Sequence, residues 1–160
     1  MDPVVLSHSE QNGKGHLEAI ELWYEVFDWC QTNEDPKELS WPARRFLIEE
    51  MDWAEDPDRE GVEDALRDLV QEDPLEVRIR EDWHALDEVA DAAEYMILIS
   101  TGGPALRMIG TIDRNSRLEG FEPASARLQH QDWNTPWTDY ISPGSEDALI
   151  WYASQFHWGD

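Results

Sequence analysis

The sequence predicts an α+β fold, in which an acidic helical N-terminal half packs on a small antiparallel β-sheet and a C-terminal helix follows. Up to about residue 73, apolar side chains recur every three or four positions, which is the period of an amphipathic helix. After Asp73 and Pro74 they alternate with polar ones, which is the period of a half-buried strand. Helices and strands that occupy separate parts of a chain are typical of the α+β class.

The chain has 160 residues, which suits one domain with a real hydrophobic core. Residues 1–15 lack periodicity and contain turn formers, so they predict a flexible lead, with an edge strand at 4–6 as the alternative. We expect residues 16–160 to form the single domain, with a helical acidic part at 16–73 and a sheet part at 74–160.

Three helices are predicted in the helical part. The first spans 16–31 and has its apolar residues on one face. The second begins after Ser40, a favourable N-cap residue, has Pro42 in its first turn and continues to about residue 51. The third spans 58–71, and its first residues are acidic, which suits the positive end of the helix dipole.

Four strands and a last helix are predicted in the sheet part. The strands are expected at 75–80, 95–100, 106–112 and 126–131. The second and third form a hairpin around the turn at 101–104, and a loop at 113–123 leads to the fourth. Ser145 is expected to cap a helix that ends near residue 156.

The charge of the chain restricts its partners. A formal net charge of −24 and a pI near 4.2 argue against direct binding to nucleic acid or to an anionic membrane, since both need cationic contacts. Residues 49–94 alone contain nineteen acidic residues against four arginines. With 41% apolar residues and nine tryptophans, the chain differs from acidic disordered chains, which are poor in aromatics. We therefore predict a folded protein whose partner is basic.

Cysteine content and hydropathy indicate the cellular compartment in which the protein is expected. Cys30 is the only cysteine, so the sequence can form no internal disulfide and no zinc site made of cysteines. The longest apolar run, 95–99, is too short to span a bilayer, and the first residues lack the pattern of a signal peptide. These features predict a cytoplasmic, soluble protein that does not contact membranes.

Two predicted helices carry stripes of carboxylates. The residues are Glu18, Glu21, Glu25 and Asp28 on the first helix and Glu60, Glu63, Asp64 and Asp68 on the third. Like charges one turn apart destabilise a helix by a few tenths of a kcal/mol per pair, so another advantage is needed to explain them. Either the acidity serves solvation, as in a salt-adapted protein, or the stripes imitate a nucleic-acid backbone for a partner that grips phosphates. Trp29 falls near the first stripe, where an exposed aromatic residue could anchor that partner.

Other residues suggest chemistry less strongly. His130 and Asp132 lie two positions apart on a strand, and with His84 they could form an acid/base or metal site. No calcium-binding loop pattern and no nucleophile elbow occur in the sequence, and the turn at 101–104 leads into a strand rather than the helix that a phosphate loop needs. We therefore predict no catalytic residue, no cofactor and no metal.

Three segments carry a resemblance. Residues 99–107, residues 126–138 and the closing Tyr152–Phe156 segment resemble small uncharacterised proteins of plasmids, integrative elements and phages. This resemblance implies a setting on a mobile genetic element. By charge and setting, the chain is similar to anti-CRISPR and antirestriction proteins, many of which occupy the DNA-binding channel of a host defence complex.

The leading hypothesis is a non-enzymatic inhibitor that mimics nucleic acid and binds a CRISPR effector or restriction enzyme through both stripes and Trp29. One alternative is a small enzyme or metal-dependent protein that uses His84, His130 and Asp132. Another is a salt-adapted acidic protein without a dedicated partner. The aromatic content also permits a homodimer.

Overall fold

The computed structural model describes residues 7–32, 34–51, 58–81, 83, 85–87, 92–101, 104–115 and 120–156. Its helices and strands are α1 His8–Cys30, α2 Trp41–Glu50, α3 Arg59–Glu72, β1 Glu76–Glu81, β2 Ala92–Ser100, β3 Ala105–Asn115, β4 Gly120–Pro123, β5 Arg127–Gln131, β6 Thr138–Asp139 and α4 Glu146–Ser154. A helical N-terminal half, an antiparallel sheet and a C-terminal helix confirm the predicted α+β class.

The first helix begins earlier than the sequence predicts. Ser7 is its N-cap, and the Ser7 hydroxyl accepts a hydrogen bond from the backbone N–H of Glu10. The prediction of a flexible lead is therefore wrong from His8 to residue 15, while residues 1–6 and the alternative strand at 4–6 lie outside the described residues. Gly13 is buried in this helix because Tyr140 packs closely on it, so that a Cβ there would lie 3.3 Å from the ring. A glycine that suggests a turn in the sequence is thus a packing site.

The other three helices agree with their predicted positions to within a few residues. Ser40 caps α2 as expected, since its hydroxyl accepts a hydrogen bond from the N–H of Ala43. Ser145 occupies the N-cap position of α4, but its side chain makes no cap hydrogen bond there. Its hydroxyl donates instead to a carboxylate oxygen of Glu21 on α1, at 2.5 Å. This contact joins the start of the last helix to the first.

The sheet is antiparallel with the strand order β1-β2-β3-β5-β6, and β4 also pairs with β3. The predicted hairpin is confirmed, with Met96 of β2 opposite Ile109 of β3. Of the region 113–123, expected as a loop, residues 113–115 instead continue β3 and residues 120–123 form β4, which places Ile112 opposite Pro123. Strand β4 has only four residues, too few for an alternating pattern to reveal it.

One face of the sheet forms the core. Helices α1 and α4 lie on this face, and α2 and α3 pack against α1, which is therefore the central helix. The largest fully buried side chains include Ile20, Leu66, Tyr95, Ile97, Leu106, Met108, Leu128 and Tyr152. The ring of Tyr95 crosses over Gly110 on the neighbouring strand, and its hydroxyl donates to the carbonyl of Ser125 at 2.6 Å.

The opposite side of the sheet, here called the outer face, is rich in arginine. The strand register aligns Arg78, Met96, Ile109 and Arg127 in one row across four strands. Arg80 and Arg107 lie in the adjacent rows, and together these residues line a groove of about 490 Å³. Within the described residues, no helix is long and apolar enough to cross a membrane.

Candidate interaction surface on the helical half

The α1 stripe consists of two kinds of carboxylate. Glu18 and Asp28 are exposed and form no ion pair with any described residue. Glu25 accepts hydrogen bonds from the hydroxyl of Ser40, at 2.6 Å, and from its backbone N–H, at 3.4 Å. Glu21 accepts the hydroxyl of Ser145. Half of the α1 stripe therefore holds the starts of α2 and α4 in place.

A groove of about 620 Å³ runs beside this stripe, between α1 and the start of α2. Its lining includes the three carboxylates Glu18, Glu21 and Glu25, together with Leu22 and Pro42. The groove is negatively charged, but two of its three carboxylates already accept protein hydrogen bonds. A cationic partner here would compete with contacts that stabilise the fold.

The α3 stripe has the opposite character. Glu60, Asp64 and Asp68 are all exposed, and they follow one another at intervals of one helical turn. Arg67 is the only cation on α3 after its first residue, and its guanidinium lies 3.4 Å from Asp64 and 4.0 Å from Glu63. No side-chain hydrogen bond or ion pair links Glu60 or Asp68 to another described residue. A partner could therefore bind this stripe with the loss of the exposed Arg67 contacts alone.

The two stripes face away from each other. Glu25 is nine positions after His16, which places it on the far side of α1, about 180° around the helix. His16 contacts Asp73 at the end of α3, so the acidic side of α1 faces away from α3. On α3, Asp64 lies about 160° around the helix from Leu66, which is fully buried. A single flat partner surface therefore cannot cover both stripes.

The expectation that Trp29 is exposed is wrong. Its side chain is only 3% exposed, because the chain that follows α1 turns back over it. The indole N–H donates to the carbonyl of Glu34 at 3.1 Å, and the guanidinium of Arg59 stacks 4.1 Å from the ring centroid. Arg59 lies thirty positions further along the chain, so no local sequence pattern could predict that it covers the indole. Trp29 is a core residue and cannot anchor a partner.

His130 and Asp132 come together with a third residue that the sequence did not suggest, Ser9. The Ser9 hydroxyl lies 2.8 Å from Nδ1 of His130 and 2.7 Å from a carboxylate oxygen of Asp132, whose other oxygen accepts the N–H of Ser9 at 3.0 Å. Hydrogen bonds from Ser9, above all from its hydroxyl, hold the pKa of Asp132 below its usual range. Ser9 is fully buried and His130 nearly so. This burial favours a structural contact that holds α1 on the sheet over a catalytic site.

His84, the third residue of the alternative acid/base or metal site, lies outside the described residues. Among the residues that are described, no three of the side chains His, Cys, Asp and Glu approach one another closely enough to hold a metal ion.

A polar cluster between the helical half and α4 was not predicted either. Asp73 accepts hydrogen bonds at 2.6 Å both from the hydroxyl of Tyr152 and from Nε2 of His16, so one carboxylate joins α1, α3 and α4. The ring of Tyr152 stacks nearly parallel to Trp23, with 6.4 Å between centroids. Burial, together with the adjacent Asp73, raises the pKa of Tyr152 far above its usual range. The three residues are far apart in sequence, so no spacing could indicate the cluster.

No known protein family, no curated protein and no solved structure matches the chain. Its function must therefore be argued from its surfaces.

Proposed function

We propose that the chain is a non-enzymatic inhibitor that binds a basic, nucleic-acid-binding partner through the α3 stripe, in competition with nucleic acid. A CRISPR effector or restriction enzyme of a host defence system fits this description. The observation that supports the proposal is the row of exposed carboxylates at Glu60, Asp64 and Asp68, whose only ion pair with a described residue is that of Asp64 with Arg67.

The spacing of this row suits the proposal. Residues one turn apart lie about 6 Å apart along a helix axis. One strand of duplex DNA carries a phosphate every 3.4 Å or so of axis, so the stripe approximates every second phosphate. Arginines and lysines that are placed to grip a phosphate backbone could bind these carboxylates. Such binding would be fast and would weaken strongly with salt.

The distribution of charge favours this function over simple solvation. A surface adapted to salt or selected for solubility gains from carboxylates wherever solvent reaches. Here three of the four arginines of the outer face lie next to acidic partners, whereas the side chains of Glu60 and Asp68 on α3 have no oppositely charged partner among the described residues. The α1 stripe is the weaker candidate because Glu21 and Glu25 also support the fold.

The test is a pull-down from the host cell at low and high salt, with added DNA or RNA as competitor and mass spectrometry to identify the partner. The informative variant replaces Glu60, Asp64 and Asp68 by Lys. We expect it to bind the captured partner at least about tenfold more weakly, a loss of about 1.4 kcal/mol. The matched control replaces Glu38, Glu49 and Glu50 by Lys, which changes the net charge equally at exposed sites outside the stripe.

Circular dichroism should show that both triple variants stay folded. Equal loss of binding in the two variants would mean that only net charge matters, and the proposed α3 site would be wrong. Capture of no nucleic-acid-binding partner by the folded wild-type chain would contradict the proposed function and favour the solvation hypothesis. Retention of the partner in the presence of excess nucleic acid would exclude competition.

A further inference from the structure

Strand β1 ends the sheet and leaves one side of its backbone without a strand partner among the described residues. Its other side pairs with β2 over the whole of Glu76–Glu81. Native proteins usually shorten, cover or bend such an edge, because its exposed N–H and C=O groups can pair with another chain. This edge is six residues long and regular until a register shift at its last residue.

The edge also exposes apolar side chains. Leu75 is 63% exposed, Val77 37% and Ile79 47%, although Val77 and Ile79 lie on the same side of the sheet as buried Ile97 and Tyr95. Leu75 continues the ladder, since its N–H donates to the carbonyl of Leu98 at 2.8 Å. Solvent thus reaches an apolar strip that alternates with the charged residues Glu76, Arg78 and Arg80.

The sequence of the strip is complementary to itself in one antiparallel register. With Val77 opposite Val77 of a second copy, Glu76 faces Arg78 and Leu75 faces Ile79, so charges oppose and apolar residues meet. A register centred on Arg78 places two arginines opposite each other. A register centred on Ile79 places Arg78 of each copy opposite Arg80 of the other, which makes two pairs of like charge. Cross-strand pairs of opposite charge stabilise a sheet, and like charges directly opposite destabilise it.

We infer that β1 is a dimerisation edge, where two copies of the chain pair antiparallel about Val77 and join their sheets into one. The occupant of the edge is a second copy because the strip complements itself in both charge and hydrophobicity. Main-chain hydrogen bonds supply affinity in this mode of recognition, and the alternating side chains set the register. Strand β1 holds two arginines and two glutamates, so this edge is neutral and is a place where two strongly acidic chains can meet with less repulsion.

Cysteine scanning tests the register. Directly opposite residues have Cβ atoms about 4.5–5.5 Å apart and diagonal ones about 7–8 Å, while a disulfide needs about 3.5–4.5 Å. With oxidised glutathione as the oxidant, V77C should form a disulfide-linked dimer much faster than R78C or I79C. The wild-type chain is the background control, since burial raises the pKa of Cys30 to about 11 and keeps its thiol protonated.

A charge exchange tests the interface without a covalent bond. By sedimentation equilibrium, Glu76→Arg and Arg78→Glu should each raise the dimer Kd by about tenfold, because each change affects two symmetric pairs. The double variant should return to within about threefold of the wild type, which would also show that the variants fold. The control is Glu122→Arg, an equal change of charge at an exposed site on β4, and it should leave the Kd unchanged.

A wild-type chain that stays monomeric at millimolar concentration in about 0.15 M salt would overturn the inference. So would cross-linking of I79C that is as fast as that of V77C or faster, since of the three registers only the Val77-centred one makes V77C the faster of the two. If the chain dimerises but V77C forms no disulfide across the dimer and the charge variants leave the Kd unchanged, the interface lies elsewhere and the inference is wrong.

Discussion

The helical half and the sheet half place their charged residues differently. On the outer face of the sheet, Arg78, Arg80 and Arg127 contact Glu76, Glu94 and Asp139 respectively. Arg107 stacks on Trp137, with 4.2 Å to the ring centroid, and donates to the side-chain carbonyl of Gln129 at 2.9 Å. On α3, the four carboxylates of the stripe have a single arginine, Arg67, among them.

This contrast separates two uses of charge within one chain. In the sheet half, opposite charges lie next to each other, so the field of the outer face is weak at a distance. On α3, like charges repeat along one side, and the field extends into solvent.

The largest effect on stability is expected at Gly110 in the sheet half, where close packing leaves no room for a side chain. In Gly110→Ala, the new Cβ would lie 2.6 Å from the Tyr95 hydroxyl and 2.0 Å from the backbone carbonyl of Ser125. We expect a loss of about 3 kcal/mol in the free energy of unfolding, measured with urea. The matched control in the helical half is Gly15→Ala, where nothing lies within 4 Å and a gain of about 0.5–1 kcal/mol is expected. Similar effects at both sites would contradict the close packing at Gly110.

A smaller effect is expected at two buried tyrosines, of which one bonds to the helical half and the other stays within the sheet half. Tyr152 donates to the carboxylate of Asp73 and Tyr95 to a neutral backbone carbonyl, both at 2.6 Å. Hydrogen bonds to charged groups contribute more, so Tyr152→Phe should cost about 2 kcal/mol and Tyr95→Phe about 1 kcal/mol in urea unfolding. The reverse order would show that the Asp73 cluster contributes little to stability.

The smallest effect comes from one charge reversal made in each half. In Asp68→Lys, a cation replaces the carboxylate between Asp64 and Glu72 one turn away on either side, which should stabilise the chain by about 0.5 kcal/mol. Asp139→Lys removes the ion-pair partner of Arg127 and should destabilise the chain by a similar amount, about 0.5 kcal/mol. Both shifts should shrink at high salt. Shifts of the same sign would mean that net charge alone decides stability.

The sequence alone predicts those helices and strands whose signals lie within their own residues. The pattern changes at Pro74 and the capping residue Ser40 lie within the segments that they define, so the helices, the hairpin and the class follow from them. The start of α1 does not, because Tyr140 decides the role of Gly13 from the other end of the chain.

The roles of the candidate site residues depended on tertiary contacts. The sequence places Glu21 and Glu25 in the same stripe as Glu18, but only the fold brings Ser145 and Ser40 to them. Trp29 is covered by Arg59 in the same way. The α3 stripe kept its predicted exposure because nothing in the described residues packs on that side.

The contact of Ser9 with Asp132 spans 123 positions and has a consequence for the order of folding. During synthesis α1 leaves the ribosome before β5 and α4, against which it packs. The part of its apolar side that these two elements cover therefore stays exposed until they follow. Native contacts of such long range make folding slow, because the connecting chain must close before they form. We expect the nascent chain to depend on chaperones more than its size suggests.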